Sequence, residues 1–279
     1  MHPYLIDFGT ATLPLLGEIR VALPSYGLLV ALAMVIGWGW FVRNAARDGI
    51  DREVASNVVF WAVISGIVGG KLGLVLVEPK AFLTHPSRFV SFEFLSSAGV
   101  IWTGVLGGVG AMILLARSYK LPLATVLDAA ALPLPVAQAI GRVGCLLAGC
   151  CFGSPTTLPW GLQYHNPEGN LRTGVPLDTP LHPSPLYEAG WNLLVVLPLL
   201  LWMRSRRRTH GELILTYLMV YAVGRFFIER TRGDAVRGVF AFGLSTSQMI
   251  SAAMIVIAAT LWWVLRRRSA TNAAEPPSA

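Results

Sequence analysis

The chain is laid out as long apolar runs separated by short polar connections. Mostly apolar residues fill approximately 26–42, 54–77, 98–116, 123–149, 186–203, 212–229 and 245–265. Each run is long enough for a helix to cross roughly 30 Å of hydrocarbon, which takes about 17 to 25 residues. The pattern therefore predicts an all-α integral membrane protein with about seven transmembrane helices, its residues 1–268 forming one polytopic domain. The largest stretch outside the spans, about 150–185, is rich in Pro, Gly, Thr and Asn and reads as a loop or short surface element. The tail 269–279 (SATNAAEPPSA) is small, polar and Pro-containing, and is expected to be disordered.

Composition agrees with the pattern. Hydrophobic residues make up 54% of the chain and charged residues 13%, with a mean hydropathy of +0.59, which excludes an ordinary water-soluble domain. The formal charge of +7 is not a nucleic-acid signature, because the basic residues sit in short loops between spans. Arg43, Arg47 and Arg52 follow the first span, Arg117 and Lys120 the third, Arg204, Arg206, Arg207 and Arg208 the fifth, and Arg266, Arg267 and Arg268 the last. Those are alternate loops, so positive-inside bias places them in the cytoplasm, the N-terminus outside and the C-terminal tail inside. Arg20, Lys80, Arg88, Arg172, Arg230, Arg232 and Arg237 remain on the outer side. The start, MHPYLIDFGT, lacks a basic n-region and contains Asp7, so the first span is expected to insert uncleaved.

Ionisable groups inside a bilayer carry an insertion penalty of about 2.5–3.5 kcal/mol and mark function by default. Lys71, Arg142, Arg225 and Glu229 all fall in the outer half of outward-running spans, with Tyr221 one turn below Arg225. Three cations against one carboxylate call for an anion, and in a membrane that is a lipid phosphate, which suits the planar fork of arginine. Glycines crowd the same regions, in SGIVGGKLG, TGVLGGVG and GRVG, allowing close helix packing and room for a ligand. Of the histidines, His182 in LHPSPLYEA is the best placed, at the mouth of the fifth span; Tyr26 and Tyr187 stand at predicted membrane edges.

All three cysteines lie in GRVGCLLAGCCFG, beside Arg142. Three small buried thiols, an activated thiol, a Cys145–Cys150 disulfide and a metal site are all compatible with that spacing. Zinc is disfavoured, since only three thiolates are at hand and two are adjacent. No metal or organic cofactor is called for.

These residues together resemble the prolipoprotein diacylglyceryl transferase family, bacterial inner-membrane enzymes that move diacylglycerol from phosphatidylglycerol to the cysteine of a lipoprotein signal peptide. The resemblance covers nearly the whole chain, from SYGLL at 25–29 to STSQMIS at 245–251, and includes the family's seven-span topology. GRVG at 141–144 is similar to the start of the family signature, with Arg142 at its arginine and Gly153 at its closing glycine. HPSPLYEA and YAVGRFFIERTRGD match runs at the fifth and sixth spans, the latter supplying Tyr221, Arg225 and Glu229, and Tyr26 matches a tyrosine at the first span. The departures fall in the same motifs: Cys145 and Cys150 stand where the signature has asparagine and glutamate, and Thr103, followed by Gly104, where a histidine precedes the third span.

The resemblance implies transfer of diacylglycerol to the lipobox thiol of prolipoproteins, with release of glycerol phosphate, at the outer (periplasmic) face of the bacterial plasma membrane. Its implied partners are phosphatidylglycerol, prolipoprotein signal peptides and the bilayer. Arg142, Arg225, Glu229, Tyr26 and Cys150 would carry catalysis. Lys71, Tyr221, Thr103, Gly104, Cys145, Gly153, His182 and Tyr187 would line the substrate site with the two arginines. For ionising the acceptor thiol, the positive pocket with Glu229 ranks before His182. The replaced signature residues leave two alternatives: a paralogue using cysteine chemistry on another lipid or acceptor, and a non-catalytic lipid-binding protein.

Overall fold

A computed structural model describes residues 4–13, 17–85, 89, 94, 99–233 and 243–274. Each predicted apolar run is helical over most of its length. The first three give α1 (Ser25–Arg47), α2 (Arg52–Val77), a short α3 (Pro79–Thr84) and α4 (Ile101–Ser118). The fourth is broken at Leu132 into α5 (Leu123–Ala131) and α6 (Pro133–Ala148). Pro133 and Pro135 have no N–H to donate, so the carbonyls four residues earlier lose their helical partners. One of them, that of Ala129, instead accepts the buried side-chain amide of Asn44 at 3.2 Å.

A short α7 (Pro167–Thr173) lies in the long connection between the fourth and fifth runs. The fifth run forms α8 (Ser184–Trp191), one π-helical turn (Asn192–Val196) and α9 (Leu197–Arg204). Pro198 explains the wide turn: it cannot donate to Leu194, and the ladder shifts so that the Leu197 N–H reaches the Asn192 carbonyl. The sixth run is α10 (Glu212–Ile228), continued by a 3-10 turn (Glu229–Thr231), and the seventh is α11 (Thr246–Ala274). Thus the segment expected to be a disordered tail is helical as far as Ala274, and 275–279 lie outside the described residues.

Five of these stretches are long and apolar enough to cross a membrane, or six if α5 and α6 form one broken span. With 17 residues, α10 is at the lower limit of a spanning helix. Leu32, Val35, Val68, Leu72, Leu76, Val256 and Ile257 are exposed on α1, α2 and α11. A surface of that kind is untenable in water and is what a helix presents to lipid. The hydropathy reading missed an antiparallel hairpin, β1 (Tyr4–Leu13) and β2 (Gly17–Pro24), paired from Tyr4↔Pro24 to Leu13↔Gly17. Its strands carry β-branched Ile6, Thr10, Thr12, Ile19 and Val21, a weak signal beside twenty-residue apolar runs.

The chain divides into two compact units, residues 38–130 and residues 1–37 with 131–279. In the first, Phe41, Ala45, Ile50, Val58, Ala116 and Val126 make a core. There α2 and α4 pack along a glycine seam so close that a Cβ on Gly69 would fall 2.6 Å from the Thr103 carbonyl oxygen. In the second unit, α10 and α11 run antiparallel. Glu212, fully buried, pairs with Arg266 at 3.1 Å at one end, and Arg225 meets Ser247 at the other. The Trp191 indole donates to the Val220 carbonyl at 2.9 Å and lies where a Gly224 side chain would be.

Candidate active site

In the second unit, four ionised groups gather at one end of three helices. Arg142 lies near the end of α6, Glu188 near the start of α8, and Arg225 near the end of α10, so antiparallel succession brings them to one level. Glu188 is 2% exposed and sits between the arginines, 2.8 Å from Arg142 Nη2 and 3.6 Å from Arg225 Nη1. The Tyr221 hydroxyl donates to the same carboxylate at 3.2 Å. On its own helix, Arg225 Nη2 is 2.5 Å from Glu229, and the Ser245 hydroxyl donates to Glu229 at 3.1 Å.

This cluster corrects the charge count made from sequence. The sequence count overlooks Glu188: Arg142 and Arg225 pair with two buried glutamates, Glu188 and Glu229, while Arg232 stands near Arg225 and Lys71 belongs to the other compact unit. There Lys71 donates to the Phe94 carbonyl and lies over its ring, 5.1 Å from the centroid. Thr103 and Gly104 are in that unit too, within the α2–α4 seam, where the Thr103 hydroxyl donates at 2.9 Å to the carbonyl of Val100, the residue just before α4. Glu188 went unremarked in the sequence, although it is the one carboxylate in HPSPLYEA opening an apolar span; the rule for intramembrane charge applies to it as much as to Glu229.

Ion pairing does not satisfy the cluster. Among the described residues Arg225 Nη1 is a buried donor with no hydrogen bond, its Glu188 oxygen lying at 3.6 Å. The Arg142 side chain stays 22% exposed while pairing with Glu188. Two guanidiniums held beside each other by buried carboxylates, one with an unsatisfied buried donor and the other partly exposed, make a preorganised seat for an anion.

The remaining predicted residues surround this centre. The Tyr26 ring packs against Gly144, where a Cβ would come within 3.2 Å of it. Gly153 is clasped between two backbones: its N–H donates to the His182 carbonyl at 3.0 Å, and an added Cβ would clash with His182 and Thr231. His182 faces Tyr187, with 3.3 Å from Nδ1 to the hydroxyl, and Trp160 donates to that hydroxyl at 2.7 Å. The connection between the fourth and fifth runs has a small core of its own, Phe152, Tyr164, Val175 and Leu181. Burial there pushes the Tyr164 hydroxyl up to about 12.

The cysteines are brought together by a helix ending. Gly149 is left-handed (φ 76°), the Cys150 N–H reaches back to the Cys145 carbonyl at 3.0 Å and the Gly149 N–H to Leu146 at 3.2 Å. That is a Schellman turn, and it folds the chain back on α6. Cys151 follows at φ 59°, a conformation unfavourable to a side-chain-bearing residue. All three thiols are free, and their sulfurs lie within 4.8 Å of one another. Hydrogen bonds from Cys145 and Cys150, with Arg232 and Arg142 nearby, hold the Cys151 thiol well below the ordinary range. Donating to its two neighbours keeps Cys150 well above it.

Fold and site define a polytopic helical membrane protein with a buried ionised cluster suited to an anionic headgroup. The family model described as prolipoprotein diacylglyceryl transferase matches residues 14–264. The chain belongs to the prolipoprotein diacylglyceryl transferase family. It is 32% identical over 237 residues to the phosphatidylglycerol–prolipoprotein diacylglyceryl transferase 2 of Clostridium perfringens, covering 85% of this chain and 89% of that protein. Its identity to the corresponding transferase of Clostridium tetani is 31%, over 81% of this chain and 87% of the relative. For that of Campylobacter hominis it is 32%, over 82% of each.

Proposed function

We propose that this protein transfers the diacylglyceryl group of phosphatidylglycerol to the lipobox cysteine thiol of prolipoproteins, releasing glycerol phosphate. The observation that carries the reading is the arginine pair: Arg142 and Arg225, braced by Glu188 and Glu229, with Arg225 Nη1 buried and lacking a hydrogen bond among the described residues. A lipid phosphate supplies the acceptors this seat lacks. Sulfur attacks the glycerol carbon bonded to the phosphate oxygen, the C–O bond breaks, and its electron pair leaves on the phosphate. The guanidiniums stabilise that charge as it develops, in a site with little water to compete. The same relatives' names support both substrates.

An apolar groove of about 430 Å³ beside the site supports the lipid half of the reading. It is lined by Trp191, Leu194, Val195 and Phe227, with Tyr187 and Thr231 at its polar end, which suits an acyl chain whose headgroup is held at the outer end of α8 and α10. A larger groove, about 680 Å³ around Met203, Met219, Trp262 and Trp263, contains none of the cluster's residues. We place the site at the outer face of the bacterial plasma membrane, with the N-terminus outside and the arginine-rich loops in the cytoplasm.

The test is a reconstituted assay with phosphatidylglycerol labelled in its acyl chains and a lipobox peptide. Label should pass to the peptide with wild-type protein and fall about 100-fold or more with Arg142→Ala, the scale for losing one charge-stabilising donor group. Absence of transfer by demonstrably folded wild-type protein overturns the reading.

A further inference from the structure

We propose that Cys145, Cys150 and Cys151 form a three-thiolate site for a divalent thiophilic metal ion of the zinc class, whose open fourth position binds and ionises the acceptor thiol. The proposal rests on the transfer reading above and supplies the step it lacks. Sulfur must attack as thiolate, yet both carboxylates near the arginines are engaged: Glu188 with Arg142, Arg225 and Tyr221, and Glu229 with Arg225 and Ser245. Neither is free to serve as a dedicated base.

The three thiols have the geometry instead. From the sequence, a set of only three thiolates with two adjacent argued against zinc. The Schellman turn at Gly149 and the left-handed Cys151 remove the objection of adjacency, because they direct all three sulfurs to one point within 4.8 Å of each other. Sulfurs sharing a tetrahedral ion at about 2.3 Å lie about 3.8 Å apart, so closure requires a movement of about an ångström. Among the described His, Cys, Asp and Glu residues these three alone converge in this way, without a fourth protein ligand. Three protein ligands with one open position is the arrangement of a catalytic rather than a structural zinc. The missing ligand, an objection to a structural site, is what a substrate-binding site requires.

Position relative to the arginines completes the argument. Cys145 follows Arg142 by three residues on α6, on the same helix face and within about one 5.4 Å turn. A phosphate held by Arg142 and Arg225 therefore leaves its glycerol carbon beside a sulfur held at the thiol cluster. The nearby positive charge of Arg142 and Arg232 favours a site of net negative charge. On coordination the acceptor S–H loses its proton to solvent, since a thiol bound to such an ion is deprotonated outright. The sulfur lone pair forms the C–S bond, the C–O bond breaks, and the electron pair leaves on the phosphate. The thioether product is neutral, a weaker ligand, and departs. No electron is gained or lost in the cycle.

The experiment uses the full-length protein in detergent under a phosphine reductant, stripped of metal with a chelator and then reloaded with zinc(II) or with cobalt(II) as a spectroscopic probe. Elemental analysis should give one zinc per chain, and each of Cys145→Ser, Cys150→Ser and Cys151→Ser should weaken zinc at least tenfold while keeping the wild-type elution profile. With cobalt(II), adding a lipobox peptide should strengthen the sulfur-to-cobalt absorption, and the same peptide with serine for cysteine should leave it unchanged. Metal-free protein should lose transfer at least 100-fold and regain it on reloading. Should reduced, folded wild-type protein bind no zinc, or should the stripped protein transfer at full rate, the proposal is overturned and the transfer reading stands. Should zinc and the cysteine peptide bind while no label moves in any arm, the transfer reading fails and so does the activation step resting on it. Because the cobalt spectrum of the unmutated protein reports thiolate ligation directly, a variant that fails to fold does not compromise the test.

Discussion

Glu188 is the residue on which the site turns. It is buried between two guanidiniums that would otherwise repel each other, and it touches no reacting atom in the proposed chemistry. It is a positioning residue. Glu188→Gln keeps the shape and a hydrogen-bonding oxygen but removes the charge, leaving Arg142 and Arg225 to spread. Transfer should fall about 100-fold, the effect of displacing a bound group by about an ångström, with Glu188→Asp recovering part of it. The assay is kcat/KM for label transfer on protein of unchanged elution profile. A loss under threefold would mean that other groups hold the arginines. The neighbouring cysteines show the same dependence on context. As residue types they are compatible with packing, redox chemistry or ligation, and the left-handed φ of Gly149 and Cys151 is what brings the three sulfurs together.

At the scale of elements, the glycines divide into those that set a helix contact and those that do not. A Cβ at Gly107 of α4 would run into the Ser65 carbonyl of α2, whereas one at Gly110, a turn further on, meets nothing within 4 Å. Gly107→Ala should therefore destabilise the protein by about 1–3 kcal/mol, as overpacking does, while Gly110→Ala should be neutral. Thermal melts in detergent compare the two directly; equal midpoints would show that the α2–α4 seam is looser than described. Proline acts on the elements in the opposite sense, by interrupting them. Pro133 and Pro135 break the fourth apolar run, and Pro198 opens a π turn in the fifth. Glu188 lies in regular helix, one turn ahead of the π turn.

For the whole molecule, the distribution of charge gives an orientation that can be tested without reference to activity. If alternate arginine-rich loops face the cytoplasm, a green fluorescent protein fused after the last helix should fluoresce in cells, and an alkaline phosphatase fused there should be inactive. The opposite pattern would invert the assignment and place the arginine cluster on the cytoplasmic side. The tryptophans beside that end agree with an interfacial location: Arg266 stacks on Trp262 at 4.0 Å and Arg267 on Trp263 at 3.7 Å. Indole and guanidinium both favour the boundary between lipid and water.

The sequence alone determined the class, the helical runs and most of the family's motifs, because hydropathy over twenty residues is a property of local chain chemistry that the bilayer reads directly. It also named Arg142, Arg225 and Glu229, since charge in an apolar run stands out wherever it folds. It did not show the hairpin, whose short strands carry little hydropathy contrast, nor the breaks at Leu132 and Asn192. What only the tertiary structure decided was partnership. Glu188 lies 46 residues from Arg142 and 37 from Arg225 in sequence, and no local pattern reveals that helix ends from three spans meet at one level. For the same reason Glu188 joined the arginines only in the fold, and three cysteines became a single convergent group: pairing is fixed by distance in space, which chain connectivity constrains but does not specify.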